Sequence, residues 1–131
     1  MSKIYHNVFK PFSATSVAKS TTDSTTCPWL PIDGWVGKKI AWEIDSSGSI
    51  DVDIDLLVSS QDAYELNNKT VTTDDYETVN IVTAHTAAVY VSKDENDVPE
   101  LGTLMRACKV TVDNDDASTA CAITIWVEGQ S

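Results

Sequence analysis

From residue 40 the chain begins to alternate. Ile40, Trp42 and Ile44 are apolar, and Ala41, Glu43 and Asp45 fall between them. A period of two marks a strand with one face buried. Ser46-Ser47-Gly48-Ser49 interrupts the pattern, with the glycine where a turn needs a positive φ. The alternation resumes through Ile50, Val52, Ile54, Leu56 and Val58, so this stretch predicts a β-hairpin. A second alternating pair closes the chain. Leu104, Arg106, Cys108, Val110 and Val112 share one face of a strand over residues 104–112. Arg106 breaks that apolar run, which places it at the strand end or beside an acidic partner. The sequence DNDDAS at 113–118 is a turn. A last strand over 120–128 sets Cys121, Ile123, Ile125 and Val127 against Thr124, Trp126 and Glu128.

Between these pairs the pattern weakens. Residues 60–75 are polar and predict a long loop with a short strand at 70–72. Tyr76, Val79 and Val82 stand at helical spacing, yet Thr78, Val79, Ile81, Val82 and Thr83 are β-branched, which leaves helix and strand both open. AAVYVS at 87–92 reads as a strand and KDEND at 93–97 as a solvated turn. Several short strands joined by polar turns, with little helix, imply an all-β fold: a single β-sandwich or jelly-roll-like domain. There is no internal repeat.

The N-terminal part lacks this order. Ile4, Tyr5, Val8, Phe9 and Phe12 make the first residues apolar, and SATSVAKSTTDSTT at 13–26 has no sustained apolar period. The reading is an extended N-terminal arm and Ser/Thr-rich linker over 1–26, and a sandwich domain over 27–131. CPWLPIDGW at 27–35 is its irregular, turn-rich lead-in. An arm so apolar is expected to be tied down on its own domain or on a partner.

Charge narrows the partners. The 131 residues carry a net charge of −11, yet residues 1–20 hold Lys3, Lys10 and Lys19 and no acid. So acidic a body repels nucleic acid, and a basic arm suits a complementary acidic surface. No run approaches the roughly 18 apolar residues of a membrane span. The first residues lack the apolar core of a secretory signal, so a cytosol-like compartment is expected, or export by another route. Cys27, Cys108 and Cys121 are odd in number and lack CxxC spacing, which predicts three buried, reduced thiols. Cys108 and Cys121 could face each other across the last hairpin.

The most conspicuous candidate chemistry is DVDIDLLVSSQD at 51–62, whose acids stand at positions 1, 3, 5 and 12 of an EF-hand-like loop. Such a loop needs glycine at position 6, and here that residue is Leu56. As a strand the segment spaces the Cα atoms of Asp51, Asp53 and Asp55 roughly 7 Å apart. Their carboxylates then repel rather than converge, and no metal is expected. With Glu43 and Asp45 they would form a five-acid outer face on one hairpin, which could meet a neighbour's Lys3 and Lys10. His6 and His85 have no metal-ligand spacing. No GxSxG and no GxxxxGK[ST] is present, and Asn68-Lys69-Thr70 is a bare sequon. No catalytic residue and no cofactor site is predicted. Trp42 falls on the apolar face. Trp126 falls on the opposite face from Ile123, Ile125 and Val127, and is the candidate interface anchor or ligand platform.

The hairpin AWEI…GSIDVDIDLLVSS and the closing stretch LMRACKVTVDNDDASTACAITIWVEGQ resemble, over about residues 36–130, small virion structural proteins of tailed phages. That resemblance implies a β-sandwich or jelly-roll body, often trimeric, that decorates or cements a capsid or builds tail and fibre parts. The expected partner is then the major capsid protein or another virion protein, contacted through Lys3, Ile4, Tyr5, Val8, Phe9, Lys10 and Trp126. The expected location is the virion, assembled in the host cytoplasm. A tail or fibre component, or a carbohydrate-binding module that stacks glycans on exposed tryptophans, is the alternative. An enzyme is not expected, because nothing pairs a nucleophile with a base.

Overall fold

In the computed structural model, residues 5–46, 51–85, 88–102 and 105–131 are described. They form nine strands: β1 (His6–Val17), β2 (Thr21–Asp23), β3 (Leu30–Pro31), β4 (Val36–Asp45), β5 (Val52–Ser59), β6 (Glu77–His85), β7 (Ala88–Asp94), β8 (Ala107–Asn114) and β9 (Cys121–Gln130). A five-residue helix α1 (Ala63–Asn67) and a 3-10 turn (Pro99–Gly102) complete the elements. One sheet has the order β1-β9-β4-β7 and the other β2-β8-β5-β6, with β3 also paired to β8. All pairings are antiparallel.

With the two-residue β3 set aside, the first strand pairs with the last, the second with the second last, and so inward to β5 and β6. The chain is therefore one long folded hairpin whose successive rungs fall alternately in one sheet and the other. That winding is a jelly roll, so the all-β sandwich read from the pattern is what the chain forms.

The pairing corrects the expected hairpins. β4 and β5 lie in different sheets, and so do β8 and β9. Alternation reports which residues of a strand face inward. It does not report which strand lies beside it. Ile40, Trp42 and Ile44 look across the interior toward the sheet that carries Val52, Ile54, Leu56 and Val58, and all seven are buried. Two apolar faces stacked in this way leave water together, and each large side chain contributes roughly 1.5–3 kcal/mol. The expected turn at 47–50 lies outside the described residues. The strand expected at 104–112 starts at Ala107, and Arg106 just before it meets Asp33 at 2.9 Å and Asp62 at 3.5 Å. Residues 70–72 form no strand, α1 stands in the polar stretch, and residues 77–85 are a strand.

The separate arm and linker also need correction. His6–Val17 is the longest strand and pairs with β9 along its length, from His6 opposite Gln130 to Val17 opposite Cys121. Phe12 and Val17 are core residues. The register shifts between Phe9 and Phe12, and again between Phe12 and Thr15. Those bulges break the period of two and hide the strand from pattern reading. Pro11, which lacks an N–H donor, sits at the first shift on an edge strand, where proline is tolerated. Ala14 takes a φ of 48°, and its N–H donates to the Thr124 hydroxyl at 2.9 Å, a side chain standing in for the missing ladder partner.

Asn114 ties the winding together. It is fully buried at the end of β8. Its side-chain amide donates to the carbonyls of Val17 at 3.2 Å and Thr119 at 3.0 Å, and its oxygen accepts from the Asp116 N–H at 3.1 Å. The end of β1, the end of β8 and the crossing to β9 are thus held by one side chain. Asn114→Ala leaves two carbonyls and one N–H without this partner, and is expected to cost about 1–3 kcal/mol in urea unfolding.

Candidate functional site

The outer face of the β1-β9-β4-β7 sheet gathers most of the candidate contact residues. In the ladder Val8 stands opposite Glu128, Lys39 opposite Glu128 and Ala41 opposite Trp126. Directly opposed residues share a face. The Lys10 ammonium lies 5.6 Å from the centroid of the Trp126 ring, within cation–π range. Tyr90 leans on the same indole with ring centroids 5.7 Å apart and planes at 52°. Ala41 is fully buried although both its neighbours in sequence face the core. A methyl group in that row leaves room for the indole of Trp126 opposite it.

Around this strip Val8 and Tyr90 are half exposed, and Val36 and Tyr5 more so. Glu128 is the local anion. Lys39 reaches it at 3.0 Å and His6 at 3.4 Å. Its hydrogen bond and charge, with a smaller contribution from Tyr90, hold the Lys39 ammonium above its usual range. The face therefore carries Lys10 and the Lys39–Glu128 pair among aromatic and aliphatic groups, and the same row of β4 continues into the exposed Glu43 and Asp45.

Of the seven predicted contact residues, Lys3 and Ile4 lie outside the described residues. Val8, Lys10 and Trp126 are brought together on this face. Tyr5 is exposed, and its backbone exchanges hydrogen bonds of 2.8 and 3.0 Å with Ser131. Phe9 turns the other way and stacks on Trp35, with ring centroids 5.4 Å apart and planes 13° from parallel. Its ring is already engaged within the domain. Tyr90, Lys39 and Val36 were missed. Tyr90 stood in a recognised strand, but only the β4·β7 pairing carries it to Trp126.

The acidic stretch at 51–62 behaves differently from expectation. Glu43 and Asp45 belong to the other sheet, so no five-acid face exists. Asp55 accepts a hydrogen bond from Asn80 at 2.9 Å. Asp51 and Asp53 do converge, and Asp115 joins them: carboxylate oxygens of the three lie within 4.8 Å of one another. Asp51 stands one residue before β5, free of the pleat that would aim it away. The Asp115 N–H bonds to the Asp51 carbonyl at 2.8 Å, which extends the β5·β8 ladder by one step. A cation held here would need backbone carbonyls or water beside the three carboxylates to complete its shell.

Displaced water, then the hydrogen bonds and negative charge of Asp113 and Asp53, push the Asp115 carboxyl up to about 6 from 3.8. Between those values the folded chain holds a proton that the unfolded chain has released. This group therefore adds stability as pH falls through about 6, and subtracts it as pH rises. Asp115→Asn, which mimics the protonated acid, is expected to be more stable than the parent chain well above pH 6. The difference should vanish near pH 4 in parallel thermal melts.

The three cysteines are free and buried. Burial pushes the Cys27 thiol up to about 11 and raises Cys108 and Cys121 as well, so the nucleophilic thiolate is scarce at neutral pH. Cys108 and Cys121 stand in opposite sheets rather than across a hairpin. Trp42 is in the core, and Trp29 is buried in a smaller cluster with Ala63, Leu66 and Ala107.

Gly129 marks how closely the N-terminal strand is fitted. A Cβ at Gly129 would lie 2.8 Å from Cε3 of Trp35, the ring that carries Phe9. Gly129→Ala must move that ring, and is expected to lower stability by about 1–3 kcal/mol in urea unfolding.

No family model matches the chain, and no curated protein matches it. Among solved structures, a chain from the structure of infectious bursal disease virus, Gx strain, is similar over 97% of this chain, at 9% sequence identity and a TM-score of 0.49. This chain spans 32% of that one. A likeness at that level carries no argument about function.

Proposed function

We propose that the protein is a non-enzymatic structural component of a phage virion, a capsid decoration or cement protein. It docks through the outer face of the β1-β9-β4-β7 sheet. The observation that carries this reading is the strip of Val8, Lys10, Trp126 and Tyr90, a partly exposed aromatic surface with one ammonium over its central ring. Tyr and Trp are the residue types that anchor interfaces. Lys10 suits an acidic group on the major capsid protein or another virion protein, whereas Lys39 is already paired with Glu128. Jelly rolls serve as capsid domains, and also as lectin domains, so the fold alone does not choose between them. The Lys10 ammonium over Trp126 favours docking over sugar stacking at this spot, because that ring already has a polar occupant.

In this reading adhesion works by adding weak contacts. Each apolar side chain buried on the partner gives roughly 1.5–3 kcal/mol before ordering costs. A homotrimer presents three copies of the face and multiplies them. The virion is the place of action, with assembly in the host cytoplasm, and neither nucleic acid nor membrane is a partner.

Removing residues 2–12 would strip β9 of its ladder partner and take Phe12 from the core, so point substitutions on the outward side chains are the cleaner test. Shells assembled from the major capsid protein encoded in the same genome are expected to co-sediment with the parent chain. Trp126→Ala and Val8→Asp should each weaken that binding about tenfold or more, with melting curves that stay cooperative. A parent chain left in the supernatant, or variants that bind as well as the parent, would sink the docking reading.

A further inference from the structure

The opposite side of the sandwich carries a cavity of about 430 Å³, within the size range of small-molecule sites. It forms where the segment between β5 and β6 folds over the outer face of the β2-β8-β5-β6 sheet. Trp29, Leu57 and Leu66 supply apolar wall, and Tyr76 stands at one side. The rings of Trp29 and Tyr76 lie 5.9 Å apart with planes at 49°. Asn67 brackets the Trp29 backbone: its side-chain oxygen accepts from the Trp29 main-chain N–H at 2.9 Å, and its amide donates to the Trp29 carbonyl at 3.0 Å. The Trp29 side chain packs with Ala63, Leu66 and Ala107, so this wall is set before any ligand arrives, which spares the ordering cost of binding.

The polar lining is one-sided in charge. Among the described residues it includes Lys69 and Lys109 with the hydroxyl residues Ser24 and Thr111, and no carboxylate, on a chain that carries twenty. Lys69 is engaged, donating to Gln61 at 2.6 Å and to Asp75 at 2.9 Å. Lys109 projects from β8 and has neither a carboxylate partner nor a hydrogen bond among the described residues. An unpaired ammonium beside an aromatic wall and two hydroxyls has a definite complement. It is a carboxylate attached to a ring with C–H faces and hydroxyl groups of its own.

We propose that this cavity binds a carboxylate-bearing sugar ring, with Lys109 as the partner of the carboxylate. Tyr76, backed by the buried Trp29, forms the surface against which the ring lies. Ser24 and Thr111 stand where sugar hydroxyls can be met. The cavity and the docking face belong to different sheets and look away from each other, so a chain seated on a particle would turn this site outward. The site does not require the docking reading, and the isolated full chain tests it.

Saturation-transfer NMR with N-acetylneuraminic acid and glucuronic acid, against methyl glucoside and acetate, separates the contributions. The sugar acids are expected to bind in the millimolar range, at least about tenfold more tightly than methyl glucoside or acetate. Lys109→Gln should abolish the preference for the acid, and Tyr76→Ala should weaken both sugar acids. Lys109→Gln keeps most of the stem on a half-buried strand position, and an unchanged melt will show that it folds. Absence of saturable binding by both sugar acids overturns the proposal. So does acetate binding as tightly as they do, or sugar-acid binding that Lys109→Gln leaves unchanged.

Discussion

The pairing of β1 with β9 is the constraint on which the rest depends. These two strands lie at opposite ends of the sequence, and every other rung of the folded hairpin nests inside them. Closing them seats Phe12 and Val17 in the core, brings Lys10 over Trp126, and lets Asn114 reach Val17. Such non-local closure gives little return until both ends have met, because loop entropy is lost before long-range contacts form. The bulges and the Ala14 kink fit the same logic. They bend the outer strand until its irregular spacing of Phe9, Phe12 and Val17 matches the regular spacing of β9.

The winding also divides the surface. Because the chain changes sheet between β4 and β5, between β6 and β7, and at each step from β7 to β9, segments close in sequence end on opposite sides of the molecule. The acids of β4 are carried away from those of β5, and the aromatic strip is separated from the cavity under α1. One outer face is left flat, with Lys10 and Lys39 among rings. The other is roofed by the segment after β5, with Lys109 beneath. Asp51, Asp53 and Asp115 converge at one corner, where the Asp115 carboxyl is held above its usual range.

Much of the fold was legible in sequence because the interior reads strands one at a time. Ile40, Trp42 and Ile44, then Val52 to Val58, then Ile123 to Val127, each declare a buried face by simple alternation. What alternation cannot carry is the identity of the neighbour, so the pattern suggests hairpins of β4 with β5 and of β8 with β9 where the chain instead crosses between sheets. The elements that escaped did so for local reasons: β1 because its bulges scramble the period, β2 and β3 because three and two residues show no period, and α1 because five residues hold barely one turn. The candidate face was legible only in parts. Lys10 and Trp126 were each recognisable, one in a basic arm and one on the wet side of a strand, but nothing in the sequence said that they touch. Asp115 was invisible as a companion of Asp51 and Asp53 for the same reason, since it arrives from another strand.

The mutual hydrogen bonds between Tyr5 and Ser131 have a mechanical meaning. They place the outer ends of β1 and β9 side by side at one corner of the molecule. Tension applied between those ends would load the ladder one rung at a time, the weakest direction in which antiparallel strands can be pulled. Traction spread over the sheet face would instead load many rungs at once, in shear. A molecule built this way resists force through its flat side and yields from its corner, so where it is gripped matters as much as how tightly.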